Sequence, residues 1–149
     1  MEEKFKDILE QDEKIIKVYK PVKSRYYKSF IFPWIIPLLW PHLIIFLIFS
    51  GFSLPFLIRK AYNNSYFAYT NKRLIVRSGL FGVSFDSLEY KDITSTSVDV
   101  GLFDKNGKTG SIKFVSPSVH AGKPITFSYI ENPYDVMKEI KAYMEDLKK

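Results

Sequence analysis

From Ser29 to Ile58 the chain runs for thirty residues without an Asp, Glu, Lys or Arg. A water-soluble core rarely needs so long an uncharged stretch, and about 18 such residues already suggest a membrane segment. The competing reading, a helical hairpin buried inside a globular fold, would need a large partner to cover it. A cleaved leader does not fit, because twenty-eight residues precede the run and it is about twice as long as the apolar region of a signal peptide.

Within the run, Pro33, Pro37 and Pro41 fall at every fourth position. Pro33 and Pro37 each remove an intrahelical hydrogen bond, at about 3 kcal/mol apiece in a helix interior. The first arm is therefore expected to kink, and Gly51 and Pro55 loosen the second in the same way. Basic residues lie on both sides: Lys14, Lys17, Lys20, Lys23, Arg25 and Lys28 upstream, and Arg59, Lys60, Lys72, Arg73 and Arg77 downstream. Lysine and arginine are retained on the cytoplasmic side, so a single span would force one cluster outside, whereas a hairpin keeps both inside.

Length makes each arm marginal. Lys23–Trp40 and Leu43–Lys60 are eighteen residues each, about 27 Å as helix, against a hydrocarbon core of about 30 Å. Arg25 and Lys28 would snorkel at the inner interface beside Tyr26 and Tyr27. The sequence thus predicts a hairpin, spanning or re-entrant, that turns at Trp40, Pro41 and His42, with one tilted span as the alternative. His42 is read as an interfacial side chain rather than a proton relay.

Charge is unevenly placed within a net +6. Residues 1–13 are acidic, and residues 14–28 hold six cations and no acid. Such a basic stretch is drawn to anionic headgroups by roughly 1 kcal/mol per residue near the surface. Membrane lipid is therefore the expected partner of all eleven flanking cations named above. No recognition helix, zinc finger or aromatic ribonucleoprotein motif supports nucleic acid. Cysteine is absent, and His42 and His120 lie far apart. Neither a thiolate site nor a metal cluster is expected, and no cofactor.

Three catalytic look-alikes fail on their mechanics. Gly107-Lys108-Thr109 ends like a phosphate-binding loop, but the required upstream glycine position holds Leu102, and a strand follows where a helix N-terminus is needed. No Gly-x-Ser-x-Gly elbow is present. Asp86, Glu89 and Asp92 read as a solvated strand edge. The chain is not expected to be an enzyme.

After the uncharged run the pattern changes to period two. Strands are predicted at Tyr66–Thr70, Arg73–Ser78, Val83–Ser87, Ile93–Val100, Ser111–Val115 and Ile125–Ile130, rich in β-branched and aromatic residues and separated by turn chemistry. Ile112 and Phe114 share one face, as do Ile125, Phe127 and Tyr129. A closing helix is capped by Asn132, opens on Pro133 and aligns Val136, Ile140, Tyr143 or Met144, and Leu147. The first thirteen residues read as a short amphipathic helix, with Phe5, Ile8 and Leu9 docked on the sheet rather than on lipid.

The run Tyr69-Thr70-Asn71-Lys72-Arg73-Leu74-Ile75 resembles the bacterial pleckstrin-homology-like (PH-like) membrane proteins. So do Gly79, the stretch Leu88 to Ile93, Val98 and Val100, Gly110 followed by Ser111 to Phe114, and the Asn132-Pro133 helix, all in the family's order. The resemblance covers about residues 65–145. It implies an α+β fold, a PH-like antiparallel barrel or sandwich capped by a C-terminal helix and preceded by the hairpin, with a cytoplasmic domain, and it does not imply an enzyme. The expected divisions are 1–22, an N-terminal amphipathic and basic segment; 23–61, the membrane hairpin; and 62–149, the PH-like domain. The expected role is an adaptor or oligomeric scaffold at the inner face of the cell membrane, both termini cytoplasmic, partnered by lipid and by its own copies or a membrane protein. Two alternatives stand beside it: protection against membrane-active bacteriocin-type peptides, through apolar bulk at Trp34, Trp40 and Phe46, and anionic lipid sensing by Lys72, Arg73 and Arg77.

Overall fold

The computed structural model describes residues 1–31, 54–101, 108–117 and 124–147. The kink expected at Pro33 and Pro37 and the turn expected at Trp40–His42 fall outside the described residues. Among those described, no helix is long and apolar enough to cross a membrane.

Two antiparallel sheets form the body. The first has the order β1 (Ile15–Tyr19), β2 (Tyr66–Thr70), β3 (Arg73–Ser78), β4 (Ser84–Glu89); the second has β5 (Ser95–Asp99), β6 (Thr109–Val115), β7 (Ile125–Glu131). Helix α1 (Lys23–Ile31) follows β1, α2 (Leu54–Asn64) precedes β2, and α3 (Pro133–Asp146) closes the chain. Every sheet connection between neighbours is antiparallel, as the run of short alternating strands requires.

The main core lies between the sheets. Phe67, Tyr69, Leu74, Val76 and Leu88 from the first sheet meet Ile112, Phe114, Ile125, Phe127 and Ile130 from the second, and Val136 and Ile140 of α3 close over them. Phe127 stacks on Phe67 at 5.1 Å and stands edge-on to Phe114 at 5.3 Å. A second cluster covers the outer face of the first sheet. There a 3-10 helix, Glu2–Ile8, drops Phe5 onto Tyr66, Ala68 and Ile75, and Phe5 is fully buried. The N-terminal segment therefore docks on the sheet, as its apolar side predicts.

Two β-bulges explain where alternation misleads. In β1 the register shifts between Ile15 and Lys17, so Ile15 and Val18 both reach the outer cluster while Tyr19 joins the inner one. In β7 the register shifts opposite Gly110, and Tyr129 takes φ 56°. Ile130 therefore enters the core at 1 % exposure, and Tyr129, expected on the Phe127 face, turns out toward α1. Asn132 is indeed the N-cap of α3, but its backbone does the work. It sits in the left-handed region, its N–H bonds Lys108 O at 2.8 Å, and its carbonyl accepts from Asp135 and Val136. Leu147, placed by spacing on the apolar stripe, is half exposed beyond the end of the helix.

Candidate membrane-facing site

The segment between β1 and β2 leaves the barrel through α1 and re-enters through α2, and tyrosines bind the two helices together. Tyr26 packs on Tyr62 at 5.4 Å, on Phe30 at 5.3 Å and edge-on against Tyr129 of β7 at 6.3 Å. Tyr27 also packs on Tyr62, at 5.8 Å. Tyr62 lies near the end of α2 and Tyr26 near the start of α1. The barrel-side ends of both helices therefore meet at one place, and the uncharged run starts and finishes beside the same barrel end. This stem is tied in by the Val22 N–H, which donates to Tyr129 O at 2.6 Å, and by the Ser65 hydroxyl against Tyr26 Oη at 3.3 Å.

The flanking cations divide by position. Lys23 and Lys28 on α1 and Arg59 and Lys60 on α2 are exposed around the stem, with the partly buried Arg25 among them. Lys20 is held against two rings, 4.5 Å from the Tyr62 centroid and 4.7 Å from Tyr66. Arg77, nearly buried, lies between the Tyr66 and Phe85 rings and donates to the carbonyl of Asn64, the last residue of α2. That is where a helix C-terminus attracts positive charge.

Of the rest, Lys17, Lys72 and Arg73 are engaged elsewhere. β2 runs away from the stem, so its turn into β3, with Lys72 and Arg73, sits at the other end of the sheet, about 17 Å off for a five-residue strand. Arg73 makes a bidentate pair with the buried carboxylate of Glu13, Nε to Oε1 at 3.1 Å and Nη2 to Oε2 at 2.9 Å, and also donates to Ile8 O at 2.8 Å. Thr70 Oγ1 donates to the same carboxylate at 2.8 Å. Burial pushes the Glu13 carboxyl up, but the bonds from Arg73, Glu10 N and Thr70, with the Arg73 charge, hold it below the ordinary carboxylate range. Lys72 reaches Glu10 and Gln11 O. Lys14 lies in the same turn region, where Asn71 Oδ1 accepts from its N–H. Lys17 pairs with Glu139 of α3 at 2.7 Å. Glu10 and Glu13 of the acidic N-terminal segment thus pair with Lys72 and Arg73 at this turn.

An open groove of about 1130 Å³ runs between β4 and β7, lined among others by Phe67, Val76, Asp86, Ile125 and Thr126. Asp86 and Glu89 are exposed and Asp92 half-buried, and Glu89 pairs with Lys91 at 2.8 Å. Among the described residues, no group of three His, Asp or Glu side chains could hold a metal ion. Lys108-Thr109 leads into β6, not into a helix.

The sequence model described as "Bacterial PH domain" matches residues 27–144. The chain belongs to the bacterial PH domain family. Its fold agrees with that of a DUF1696-family protein with a pleckstrin-homology domain from Shewanella loihica: TM-score 0.52 at 15 % identity, over 96 % of this chain and 92 % of that one. A pleckstrin homology domain from Shewanella amazonensis gives the same score at 19 % identity, over 96 % and 84 %. No curated protein matches. Part of α1 and all of α2 fall within the matched residues, β1 lies before them, and α3 follows the last strand.

Besides its buried Val136 and Ile140, α3 is held on this PH domain by the Glu139 carboxylate. Glu139 accepts from Lys17 Nζ at 2.7 and 2.9 Å, from Tyr69 Oη at 2.8 Å and from Tyr19 Oη at 3.1 Å. Burial raises the Glu139 carboxyl, and these bonds together with the Lys17 charge bring it below its ordinary range. Burial, reinforced by Glu139, pushes both tyrosine hydroxyls well above theirs, so they remain donors. Nothing in the sequence around Lys17, for which lipid is the expected partner, points to a carboxylate on a helix 122 positions away.

Proposed function

We propose that the chain is a non-enzymatic, membrane-tethered PH domain acting as an adaptor or oligomeric scaffold at the inner face of the cell membrane, with both termini cytoplasmic. The observation that carries the reading is the tyrosine-bound stem. By holding the barrel-side ends of α1 and α2 together, it favours a doubled-back path for residues 32–53 over a single pass. Exposed Lys23, Lys28, Arg59 and Lys60 around that stem suit the anionic leaflet. The free outer edge of β5, which has β6 alone as its neighbour among the described residues, offers a protein partner a strand to pair with. Lipid sensing by Lys72, Arg73 and Arg77 is less well supported, since Glu13, Glu10 and the Asn64 carbonyl already hold those cations.

Tags at the two ends, probed with protease in sealed inverted vesicles, test the tether: both are expected to be cleaved together. One cleaved and one protected tag refutes it. Cross-linking in the same vesicles tests the scaffold role, with self-association or one recurrent membrane-protein partner expected.

A further inference from the structure

The β3–β4 connection is unlike the other described turns. From Ser78 to Phe85 it carries no charge, in the order Ser-Gly-Leu-Phe-Gly-Val-Ser-Phe, where hairpin loops usually place polar turn residues. At its tip Phe81 is 78 % exposed, Val83 48 % and Leu80 38 %. This is not slack chain. Gly79 takes φ +142°, and a Cβ there would meet Gly82 O at 2.2 Å, so the loop closes tightly on itself. Asn64, the last residue of α2, clamps it from outside, with Nδ2 donating to Gly79 O at 3.0 Å. The apolar tip is therefore fixed to the stem. Lys60 and Arg59 lie four and five residues before Asn64, about 6 to 8 Å along the helix.

We propose that Leu80, Phe81 and Val83 form a lipid-inserting wedge, dipping into the headgroup layer of the bilayer that the stem enters. The proposal rests on the tethered reading above and adds a second point of contact to it. Two features choose lipid over protein. The tip is small, isolated and apolar, as an interfacial wedge needs to be. It also stands beside the stem's exposed cations, which would draw it toward anionic headgroups. Two contacts, stem and wedge, would fix the tilt of the barrel on the membrane, which a stem alone leaves free.

The absence of cysteine makes the test clean. The full chain carrying Phe81→Cys or Val83→Cys is labelled with an environment-sensitive fluorophore and reconstituted into phosphatidylcholine–phosphatidylglycerol vesicles. Ala142→Cys is the reference: it is exposed on α3 beside Tyr143, which packs on Tyr69 and Tyr90 away from the stem. Lipids spin-labelled near the headgroup are expected to quench positions 81 and 83 several-fold more than position 142. If the chain floats with vesicles and all three positions quench alike, the wedge is refuted and the tether survives. If the chain does not float, the tether itself has failed. A tip shielded from lipid and soluble quenchers alike, increasingly with protein density, assigns it to a second copy and refutes the wedge.

Discussion

Glu13 is the residue on which the N-terminal segment turns. Its carboxylate is buried and Arg73 is only 17 % exposed, so removing one partner strands the other; such losses run to about 3 kcal/mol or more. Arg73 keeps Ile8 O and Glu10, which softens the effect. Glu13→Gln is expected to cost about 2 kcal/mol in thermal melts of the detergent-solubilised chain. Glu139 is more exposed and its ion pair is screened, so Glu139→Gln should cost nearer 1 kcal/mol. Both carboxyls lie below the ordinary range in the fold. Their contribution is complete above that range and is lost as pH falls through the depressed folded values. A double variant, followed by denaturant unfolding against pH, should lose stability less steeply on acidification than the parent. These partnerships were not legible beforehand. Lys17, Lys72 and Arg73 read as free cations because a sequence shows charge without showing which carboxylate the fold brings back to it.

Among elements, the β3–β4 tip makes the sharpest contrast. Gly79→Ala puts a Cβ on Gly82 O and forces a left-handed backbone, at an expected cost of about 1–3 kcal/mol. Gly82→Ala meets nothing within 4 Å and should melt within about 0.5 kcal/mol of the parent. A difference in melting temperature between these two single-methyl variants checks the fixed loop. Legibility also varied by element. β2 and β3 were readable residue for residue, because turn residues bound them and β-branched and aromatic side chains fill them. β1 was hidden. Lys17 within it and Lys14 and Lys20 on either side give it the charge of an edge strand, and its bulge breaks the alternation that marks a strand. The tyrosine stem was half visible: Tyr26 and Tyr27 suited an interface, but nothing local announced Tyr62 and Tyr129 as their partners.

At the scale of the whole molecule, the α1–α2 stem joins the proposed tether to the two sheets. Replacing residues 32–53 with about ten glycines and serines gives a linker reaching roughly 17 Å, ample for helices packed about 8–10 Å apart. The shortened chain should keep its β-rich circular dichroism and a cooperative melt, and should no longer float with vesicles. Retained flotation would place the anchor elsewhere. The segment between β1 and β2 also sets a timetable for synthesis. The ribosome delivers Ile15–Tyr19 long before its hydrogen-bonding partner Tyr66–Thr70, and every residue of the intervening segment must emerge first. Pairing across so long a sequence separation slows folding, so the first strand waits unpaired until its partner is made. β1 can thus pair only after Tyr66–Thr70 has emerged, and a chain stalled before Tyr66 leaves the exit tunnel holds no strand for β1 to join.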